Sequence, residues 1–191
     1  MRIAIDIDST LHPYWELFAR VARKRFGVEL PYEQQVTWHT PELRPEQFKA
    51  VIADTHSDQA ILAAQPFPGA VDTIRAWHEA GHEIHVVSHR HAGARGATQR
   101  WLEQIGLPYD ALDCSDDKVA YSVRARIELL IDDSPENLSA ALAAGIAGAT
   151  ILHPWNRDLC EEEGLVCAED WPALARALEP VLAGRPAARR G

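Results

Sequence analysis

Four short apolar runs, separated by helical patterns, constrain the fold of this 191-residue chain more than any other feature. Each run is continuously apolar or nearly so, a pattern typical of strands that are buried on both faces of a parallel sheet. The runs lie at Ile3–Ile7, Glu83–Ser88, Leu129–Asp132 and Ala149–Leu152. Because strands that alternate with helices form layered structures, the chain is predicted to be an α/β protein with a doubly wound, Rossmann-like parallel sheet.

Helical patterns fill the segments between these strands. They cover Ala70–Ala80, Ala94–Ile105, Lys118–Arg124 and Pro135–Ala144. The last pattern has clear ends, because Ser134 is a good N-cap, Pro135 suits the first helical position and Gly145 stops a helix. A final helix is predicted at Trp171–Leu182, followed by a disordered tail at residues 184–191.

The segment after the first strand breaks the alternation of strand and helix. It carries helical patterns at Tyr14–Phe26, Pro45–Asp54 and Ser57–Ala64, the first of them amphipathic and followed by a polar loop rich in proline. We therefore predict a small helical cap over residues 11–68. This cap is inserted into a core domain formed by residues 1–10 and 69–183.

Composition limits the partners and the location of the protein. With a net charge of −9 and a pI near 5.4, the chain lacks the basic surface that a nucleic-acid polymer would require. The apolar run at the N-terminus is short and carries aspartates, so it predicts neither a signal peptide nor a membrane span. The cysteines Cys114, Cys160 and Cys167 show no metal-ligand spacing and indicate free thiols. A cytoplasmic location is the resulting expectation.

Chemically reactive side chains stand at the ends of three predicted strands. They are Asp6 and Asp8 after the first, Ser88 after the second, and Asp132 and Asp133 after the third. Ligands of open α/β sheets bind at the edge where the carboxyl ends of the strands meet. Because burying unpaired carboxylates costs several kcal/mol, these acids indicate a cation site. Taken one at a time, the same residues could instead form a solvated acidic turn and helix caps.

The order of these motifs resembles the haloacid dehalogenase (HAD) superfamily of phosphohydrolases. The order is Asp-x-Asp-x-Thr from Asp6, apolar-apolar-Ser at Ser88, a lysine at Lys118 and apolar-Asp-Asp at Asp132. The match covers the chain from Ile3 to about Asn156. The resemblance implies the HAD-type core and hydrolysis of a phosphomonoester through an aspartyl-phosphate intermediate.

The resemblance also implies a role for each of these residues. Asp6 is the nucleophile and must be ionised, whereas Asp8 is first the acid that protonates the leaving oxygen and then the base that activates water. Lys118 neutralises Asp6 and the phosphoryl group, and Ser88 donates a hydrogen bond to a phosphate oxygen. Thr10 helps to hold the loop that positions Asp8. The acid at Asp8 favours phosphate chemistry over halide chemistry.

Magnesium is the implied cofactor. The phosphate and the acids are negatively charged, and a hard cation that prefers oxygen ligands would compensate this charge. The implied ligands are the Asp6 carboxylate, the Asp8 backbone carbonyl and a carboxylate of Asp132 or Asp133. The sequence leaves open which of the last two binds the ion directly and which binds it through water.

The flanking segments are similar to the 5′(3′)-deoxyribonucleotidase branch, the cytosolic type C nucleotidases and their bacterial relatives. These segments run from Ile131 to Asn137, over Gly145-Ile146 and from Thr150 to Arg157. The resemblance implies a nucleoside monophosphate whose base stacks on cap aromatics, for which Trp15, Phe18 and Trp38 are candidates. Phe18 is expected in the cap core instead. His89 and Arg90 are further candidates for contacts with the substrate, and His89 stands where a small residue is expected.

These patterns leave three functions to compare. The first is a Mg²⁺-dependent phosphomonoesterase for nucleoside 5′-monophosphates, and the second is a phosphatase of sugar phosphates or other small phosphorylated metabolites. Both would use the same catalytic residues, so the cap decides between them. The third is a non-catalytic phosphate-binding regulatory domain, against which the intact pair of Asp6 and Asp8 argues. A small cap leaves the site open, so a homodimer partner could cover it.

Overall fold

A parallel sheet of six strands forms the centre of the protein in the computed structural model, which describes residues 1–37, 40–114, 117–161 and 164–183. The strands are β1 (Arg2–Ile5), β2 (Glu83–Ser88), β3 (Ala111–Cys114), β4 (Leu129–Ile131), β5 (Ala147–Ile151) and β6 (Leu165–Ala168). Their order across the sheet is β3-β2-β1-β4-β5-β6, and every neighbouring pair is parallel. The predicted doubly wound α/β sheet is confirmed.

The central strand β1 shows why the sheet lies between two layers. Successive side chains of a strand point to opposite faces. Ile3 and Ile5 pack into one core cluster together with Trp101, while Ala4 packs into a second cluster with Leu130. All five side chains are fully buried, so both faces of the sheet are covered, as the continuous apolar runs predict.

Two strands were not predicted from the sequence, and both lie at the edges of the sheet. In β3 only Leu112 is buried, and in β6 only Ala168 is buried. An edge strand has a neighbour on one side only, and these two remain half-exposed along most of their length. Their sequences therefore lack the continuous apolar run that marks the inner strands.

The helices follow the predicted patterns to within a few residues. They are α1 (Tyr14–Phe26), α2 (Pro45–Thr55), α3 (Asp58–Ala63), α4 (Ala70–Glu79), α5 (Arg95–Gln104), α6 (Lys118–Arg124), α7 (Pro135–Ala143) and α8 (Trp171–Ala183). Asp117 caps α6, because its Oδ1 accepts a hydrogen bond of 2.8 Å from the Ala120 N–H. Ser134 caps α7 in the same way, since its Oγ accepts from the Asn137 N–H. These caps fix the first turns that reach the carboxyl edge of the sheet.

The segment between β1 and α4 has a small apolar core of its own. Helices α1 and α2 pack together there around Tyr14, Phe18 and Val51. Helix α3 behaves differently, because its Ile61 packs into the main core beside the sheet. The short α3 therefore ties the inserted segment to the core, and the exact limits of the cap at residues 11 and 68 stay a prediction.

The expectation that all three cysteines are free thiols holds for only one of them. Cys160 and Cys167 form a disulfide, so the expectation of free thiols is wrong for this pair; the closing β5–β6 connection brings them together, which their spacing does not show. Cys114 is a free thiol.

The predicted tail at 184–191 lies outside the described residues. Within the described ranges, none of the helices has the length and apolar character needed to cross a bilayer.

The indole of Trp171 connects the last helix to the loop that follows β1. The ring is fully buried, and its Nε1 donates a hydrogen bond of 2.9 Å to the Thr10 carbonyl. We expect Trp171→Phe to lower the free energy of unfolding by about 1–3 kcal/mol, because the buried carbonyl loses its donor. Trp171→Ala should cost about 3–5 kcal/mol, because it also leaves a cavity.

Urea denaturation followed by circular dichroism measures both effects. Val123→Ala is the control, because Val123 is exposed on α6 and its loss should change the stability by no more than about 0.5 kcal/mol. A Trp171→Phe variant as stable as this control would show that the bond to Thr10 does not hold the loop.

Candidate active site

Two aspartates extend neighbouring strands by one residue and so share one edge of the sheet. Asp6 follows β1, and its N–H donates to the Ile131 carbonyl at 2.9 Å. Asp132 follows β4, and its N–H donates to the Ala149 carbonyl at 3.1 Å. Because β1 and β4 are adjacent and parallel, both carboxylates emerge at the same carboxyl edge.

Lys118 joins these two carboxylates. It is the first residue of α6, only 3% exposed, and its Nζ lies 2.5 Å from Asp6 Oδ1 and 2.9 Å from Asp132 Oδ2. Burial alone would lower the pKa of Lys118, but the charges of Asp132 and Asp6 outweigh it and raise the pKa above its usual value. The lysine is therefore a fixed positive charge between two acids.

The second acidic pair is held in place by residues that sequence analysis did not identify as part of the site. The Ser134 N–H donates to Asp132 Oδ1 at 2.9 Å, and the Asn137 amide donates to both oxygens of Asp132 at 3.2 Å. Trp155 Nε1 donates to Asp133 Oδ2 at 3.1 Å. Asn137 and Trp155 lie within the segments that resemble the nucleotidase branch, so this resemblance could have identified them as residues of the site.

The three acids could hold a cation together. Asp6, Asp132 and Asp133 are all buried, and one carboxylate oxygen from each lies within 4.8 Å of the others. Three buried carboxylates beside the one ammonium of Lys118 carry an excess of negative charge, and their oxygens are the ligands that Mg²⁺ prefers. The donor set therefore fits the expected metal. Both members of the Asp132/Asp133 pair belong to the cluster.

The carboxylate of Asp8 is not part of this cluster and forms an ion pair with Arg90. Arg90 Nη2 lies 2.6 Å from Asp8 Oδ1, and Arg90 Nε lies 3.1 Å from Asp8 Oδ2, which is a two-pronged ion pair. His12 Nε2 is 2.9 Å from Oδ1. Although burial would raise the pKa of Asp8, the charge of Arg90 and the hydrogen bond with His12 hold it well below its usual range.

The pKa values of the two acids are separated in the direction opposite to the one expected. Burial, together with the charges of Asp132 and Asp8, raises the pKa of Asp6 to about 7, although Lys118 opposes the rise. Asp8, expected to begin as the protonated acid, is instead the more strongly ionised of the pair. The reason is its ion pair with Arg90, which joins residues 82 positions apart.

The loop between Asp6 and α1 is tightly folded. Ser9 has a positive φ of 64°, a conformation that is uncommon for a residue with a Cβ. The Leu11 N–H donates to the Ile7 carbonyl at 2.8 Å, and the Thr10 hydroxyl donates to Asp6 Oδ2 at 3.5 Å. Thr10 thus lies beside the acid edge, and its hydroxyl also contacts Asp6.

The residues at the end of β2 take different positions. Ser88 is buried at the strand end, and its Oγ accepts a hydrogen bond of 3.2 Å from the Arg90 N–H. His89 is exposed and lines the cavity above the acids. Arg90 is only 2% exposed, and its Nη1 donates to Thr98 Oγ1 while the rest of the guanidinium binds Asp8. The guanidinium is thus engaged by Asp8 and Thr98, and a contact between Arg90 and the substrate stays a prediction.

A cavity of about 520 Å³ opens above the acids, within the range of about 300–1,000 Å³ that small-molecule sites occupy. The sheet edge and its loops supply the polar side, which consists of Asp6, Asp8, His89, Lys118, Asp132, Asp133, Ser134, Glu136 and Asn137. The inserted segment supplies the opposite wall of Tyr14, Phe48, Ile52 and His56. Phe48 and Ile52 on α2 and His56 directly after it follow one another at intervals of four residues, so helical periodicity could have identified them.

Trp15, one of the two tryptophans expected to contact a base, does not line this wall. Trp15 is 2% exposed, stacks on Phe18 at 5.4 Å and donates its indole N–H to the Leu30 carbonyl. Its assignment as a substrate contact is corrected, because the buried face of α1 places it in the cap core beside Phe18. Trp38 lies outside the described residues.

Comparison with known proteins agrees with the motifs. Residues 1–176 match the family described as 5′ nucleotidase, deoxy (Pyrimidine), cytosolic type C protein. A curated relative from Bacillus cereus, named "Putative nucleotidase", is 23% identical over 164 residues, which cover 76% of this chain and 83% of the relative.

Solved structures share the fold at low sequence identity. A HAD family hydrolase from Deinococcus radiodurans R1, with bound phosphate and sodium, has a TM-score of 0.64 at 17% identity and covers 96% of this chain and 95% of its own. A haloacid dehalogenase-like hydrolase from Streptococcus pneumoniae has a TM-score of 0.67 at 14% identity, with coverages of 96% and 98%. CbbY from Rhodobacter sphaeroides, in complex with xylulose-(1,5)bisphosphate, has a TM-score of 0.59 at 15% identity, with coverages of 89% and 94%.

The family match spans most of the chain, and the fold and the motif order agree with it. The chain belongs to the cytosolic type C 5′-nucleotidase family and is a phosphatase of the HAD superfamily.

Proposed function

We propose that the protein is a Mg²⁺-dependent phosphomonoesterase that hydrolyses nucleoside monophosphates through an aspartyl-phosphate. The observation that carries this proposal is the cluster of Asp6, Asp132, Asp133 and Lys118 beneath a cavity with an aromatic and aliphatic wall. The family description and the name of the Bacillus cereus relative both support a nucleotide substrate. The word cytosolic in the family description also agrees with the expected cytoplasmic location.

In the first step, an Asp6 carboxylate oxygen forms a bond to phosphorus, and the bond from phosphorus to the leaving oxygen breaks while this oxygen takes up a proton from the protonated form of Asp8 and leaves as the alcohol. The nucleophile must be ionised, and the adjacent Lys118 ammonium favours that form. A Mg²⁺ ion held by Asp6, Asp132 and Asp133 would neutralise charge on the phosphoryl oxygens and on the acids. Lys118 and the Ser88 hydroxyl would contribute further positive charge and hydrogen bonding.

In the second step, a water oxygen forms a bond to the phosphorus of the aspartyl-phosphate, the bond from phosphorus to the Asp6 oxygen breaks, and inorganic phosphate leaves with the Asp6 carboxylate restored. Asp8 lines the cavity beside Asp6, and Arg90 and His12 favour its ionised form. A carboxylate in this state can take a proton from the attacking water, so its environment favours the basic half of the expected acid and base role. The intact set of acids argues against a non-catalytic phosphate-binding domain.

The cap wall supports a substrate that carries a flat apolar group. Phe48 is half-buried on α2 and lines the cavity, and Ile52 lies one turn further along the same face. Stacking a base on an aromatic ring contributes about 1–3 kcal/mol. We propose Phe48 as the residue against which the base packs. In this position it takes the role that the sequence suggested for Trp15.

A sugar phosphate is the second candidate substrate. The polar wall opposite Phe48 contains Glu136 and Asn137, which suit hydroxyl groups. The fold relative from Rhodobacter sphaeroides binds a sugar bisphosphate, which also supports this candidate. Both candidates place a phosphate over Asp6, and they differ in what packs on the cap.

Replacing the nucleophile tests the mechanism. Asp6→Asn preserves the size of the side chain but removes the attacking carboxylate, so we expect phosphate release from thymidine 5′-monophosphate to fall by at least roughly 10³-fold. Excess chelator should abolish the activity of the unmodified protein, and added Mg²⁺ should restore it. Phosphate release that persists in Asp6→Asn or in chelator would refute the mechanism.

Replacing Phe48 separates the two substrate candidates. Phe48→Ala should lower kcat/KM for thymidine 5′-monophosphate by roughly 5- to 150-fold, which corresponds to the loss of about 1–3 kcal/mol of stacking. Turnover of deoxyribose 5-phosphate, the same substrate without its base, should change little. Lys49→Ala is the control, because Lys49 is exposed on the same helix and does not line this cavity. Equal losses on both substrates would count against stacking of a base on Phe48.

Replacing Arg90 tests whether it positions Asp8 or binds phosphate. Arg90→Gln removes the two-pronged contact with Asp8, so we expect kcat to fall by roughly 10²-fold or more while KM changes little. Steady-state kinetics with a thermal unfolding control measures this, because removing one partner of a buried ion pair also lowers stability. A large rise in KM with little change in kcat would indicate a direct phosphate contact instead.

A further inference from the structure

His56 is a polar residue that the cap presents to the cavity. It immediately follows α2, lines the cavity together with Phe48 and Ile52, and has a side chain that is only 9% exposed. Its Nε2 lies 3.4 Å from Asp8 Oδ2, a contact that helps to lower the pKa of Asp8 although its geometry is not that of a hydrogen bond. The ring therefore stands at the junction between the cap wall and the acid edge.

Both ring nitrogens of His56 are buried and have no hydrogen-bond partner among the described residues. A buried polar group without a partner is uncommon, and leaving it unsatisfied has a free-energy cost of about 1–3 kcal/mol. The other described residues of the cap wall do not share this property. The Tyr14 hydroxyl bonds to Thr55 Oγ1 at 2.8 Å, and Phe48 and Ile52 carry no polar side-chain atom.

Two other rings lie near that of His56. The Tyr14 ring lies 5.5 Å from it at a tilt of 40°, and the His91 ring lies 6.3 Å away at a tilt of 43°. A ring packed in this way is prepared for a ligand group that arrives with matching hydrogen-bonding atoms. Preorganisation of this kind raises affinity because little side-chain freedom is lost on binding.

The place of His56 beside Asp8 indicates which part of a substrate it meets. Under the proposed function, Asp8 faces the reacting phosphate and the oxygen of the leaving alcohol. His56 then adjoins the atoms just beyond that oxygen. In a sugar phosphate or a nucleotide these atoms belong to the sugar, whose ring oxygen and hydroxyls can accept or donate hydrogen bonds.

We propose that His56 determines specificity by hydrogen-bonding to an oxygen of the sugar that carries the phosphate. This inference rests on the proposed function and deepens it. The recognised substrate class is a phosphorylated pentose, with or without a base. The rejected class is an alkyl phosphate of equal size without ring oxygen or hydroxyls, because His56 would then stay unpaired.

Two phosphates with the same type of leaving group test this inference. Deoxyribose 5-phosphate and cyclopentylmethyl phosphate are both esters of a primary alcohol on a five-membered ring, and only the first has a ring oxygen and hydroxyls. We expect the unmodified protein to prefer the first by roughly tenfold or more in kcat/KM. His56→Phe should remove that preference by lowering kcat/KM for deoxyribose 5-phosphate alone, mainly through KM.

Further variants and controls make the result decisive. His56→Leu is measured in parallel, so that a folding defect in one replacement does not decide the outcome, and circular dichroism verifies both. Lys49→Ala is the control, because this exposed residue lies on the helix that precedes His56 and does not line the cavity, and it should keep the preference. Equal losses on both esters would overturn the proposal, since His56 would then act through Asp8. An unchanged preference would overturn it as well.

Failure of the proposed function gives a different result. If the unmodified protein releases no phosphate from either ester, or if Asp6→Asn remains fully active, the proposed function is refuted and the role of His56 is refuted with it. If the unmodified protein is active and Asp6→Asn is not, only the response of His56→Phe and His56→Leu decides the inference.

Discussion

The buried ammonium of Lys118 is the interaction on which the rest of the site depends. It lies between Asp6 and Asp132, the residues that extend the adjacent strands β1 and β4. Without it, the two carboxylates would face each other in a place that water hardly reaches, at a cost of several kcal/mol. The sheet order makes this contact obligatory, because adjacent parallel strands bring their carboxyl ends together. Asp117, the N-cap residue of α6, fixes the first turn of this helix and so places Lys118 beside the two carboxylates.

One ammonium does not balance three carboxylates. With Asp133 included, the cluster has an excess of negative charge. Burial raises the pKa of Asp6 to about 7 with the help of the charges of Asp132 and Asp8, although Lys118 opposes the rise. Any further positive charge nearby would stabilise the ionised form of Asp6. The same feature that is unfavourable for folding thus attracts a divalent cation, and that cation would return Asp6 to the ionised form that attack requires. Active sites commonly contain groups that are unfavourable for folding but required for function.

Much of the core site could be predicted from the sequence, because it depends on strand ends. Asp6 and Asp132 follow from the apolar runs that they end, whereas the place of Lys118 in the site was implied by the resemblance of the motif order to the HAD superfamily. The ion pair between Asp8 and Arg90 could not be predicted in the same way, because it depends on how two loops fold beside each other. It reverses the expected separation of the pKa values of Asp6 and Asp8.

The edge strands and the aromatic residues of the cap show the same limit. Strands β3 and β6 are half-exposed, so their residues alternate too weakly to be recognised. Trp15 and Phe48 are both aromatic residues on amphipathic helices, and composition does not tell which helix face meets the core. The structure decides this by packing α1 against α2, which buries Trp15 and Phe18 and leaves Phe48 half-buried between Phe18 and the cavity.

The core and the cap therefore contribute to specificity through different physical means. The core recognises phosphate through charge, and charge acts on any phosphate ester in the same way. The cap meets only the leaving group, and along α2 it presents an aromatic ring, an aliphatic side chain and an imidazole at intervals of four residues, Phe48, Ile52 and His56. His56 is the nearest of the three to Asp8. Phe48 lies two helical turns before His56, which is about 12 Å along the helix axis. A nucleotide matches this order from phosphate to base, because its sugar lies next to the phosphate and its flat ring lies beyond the sugar. A sugar phosphate without a base would satisfy His56 and leave Phe48 unused.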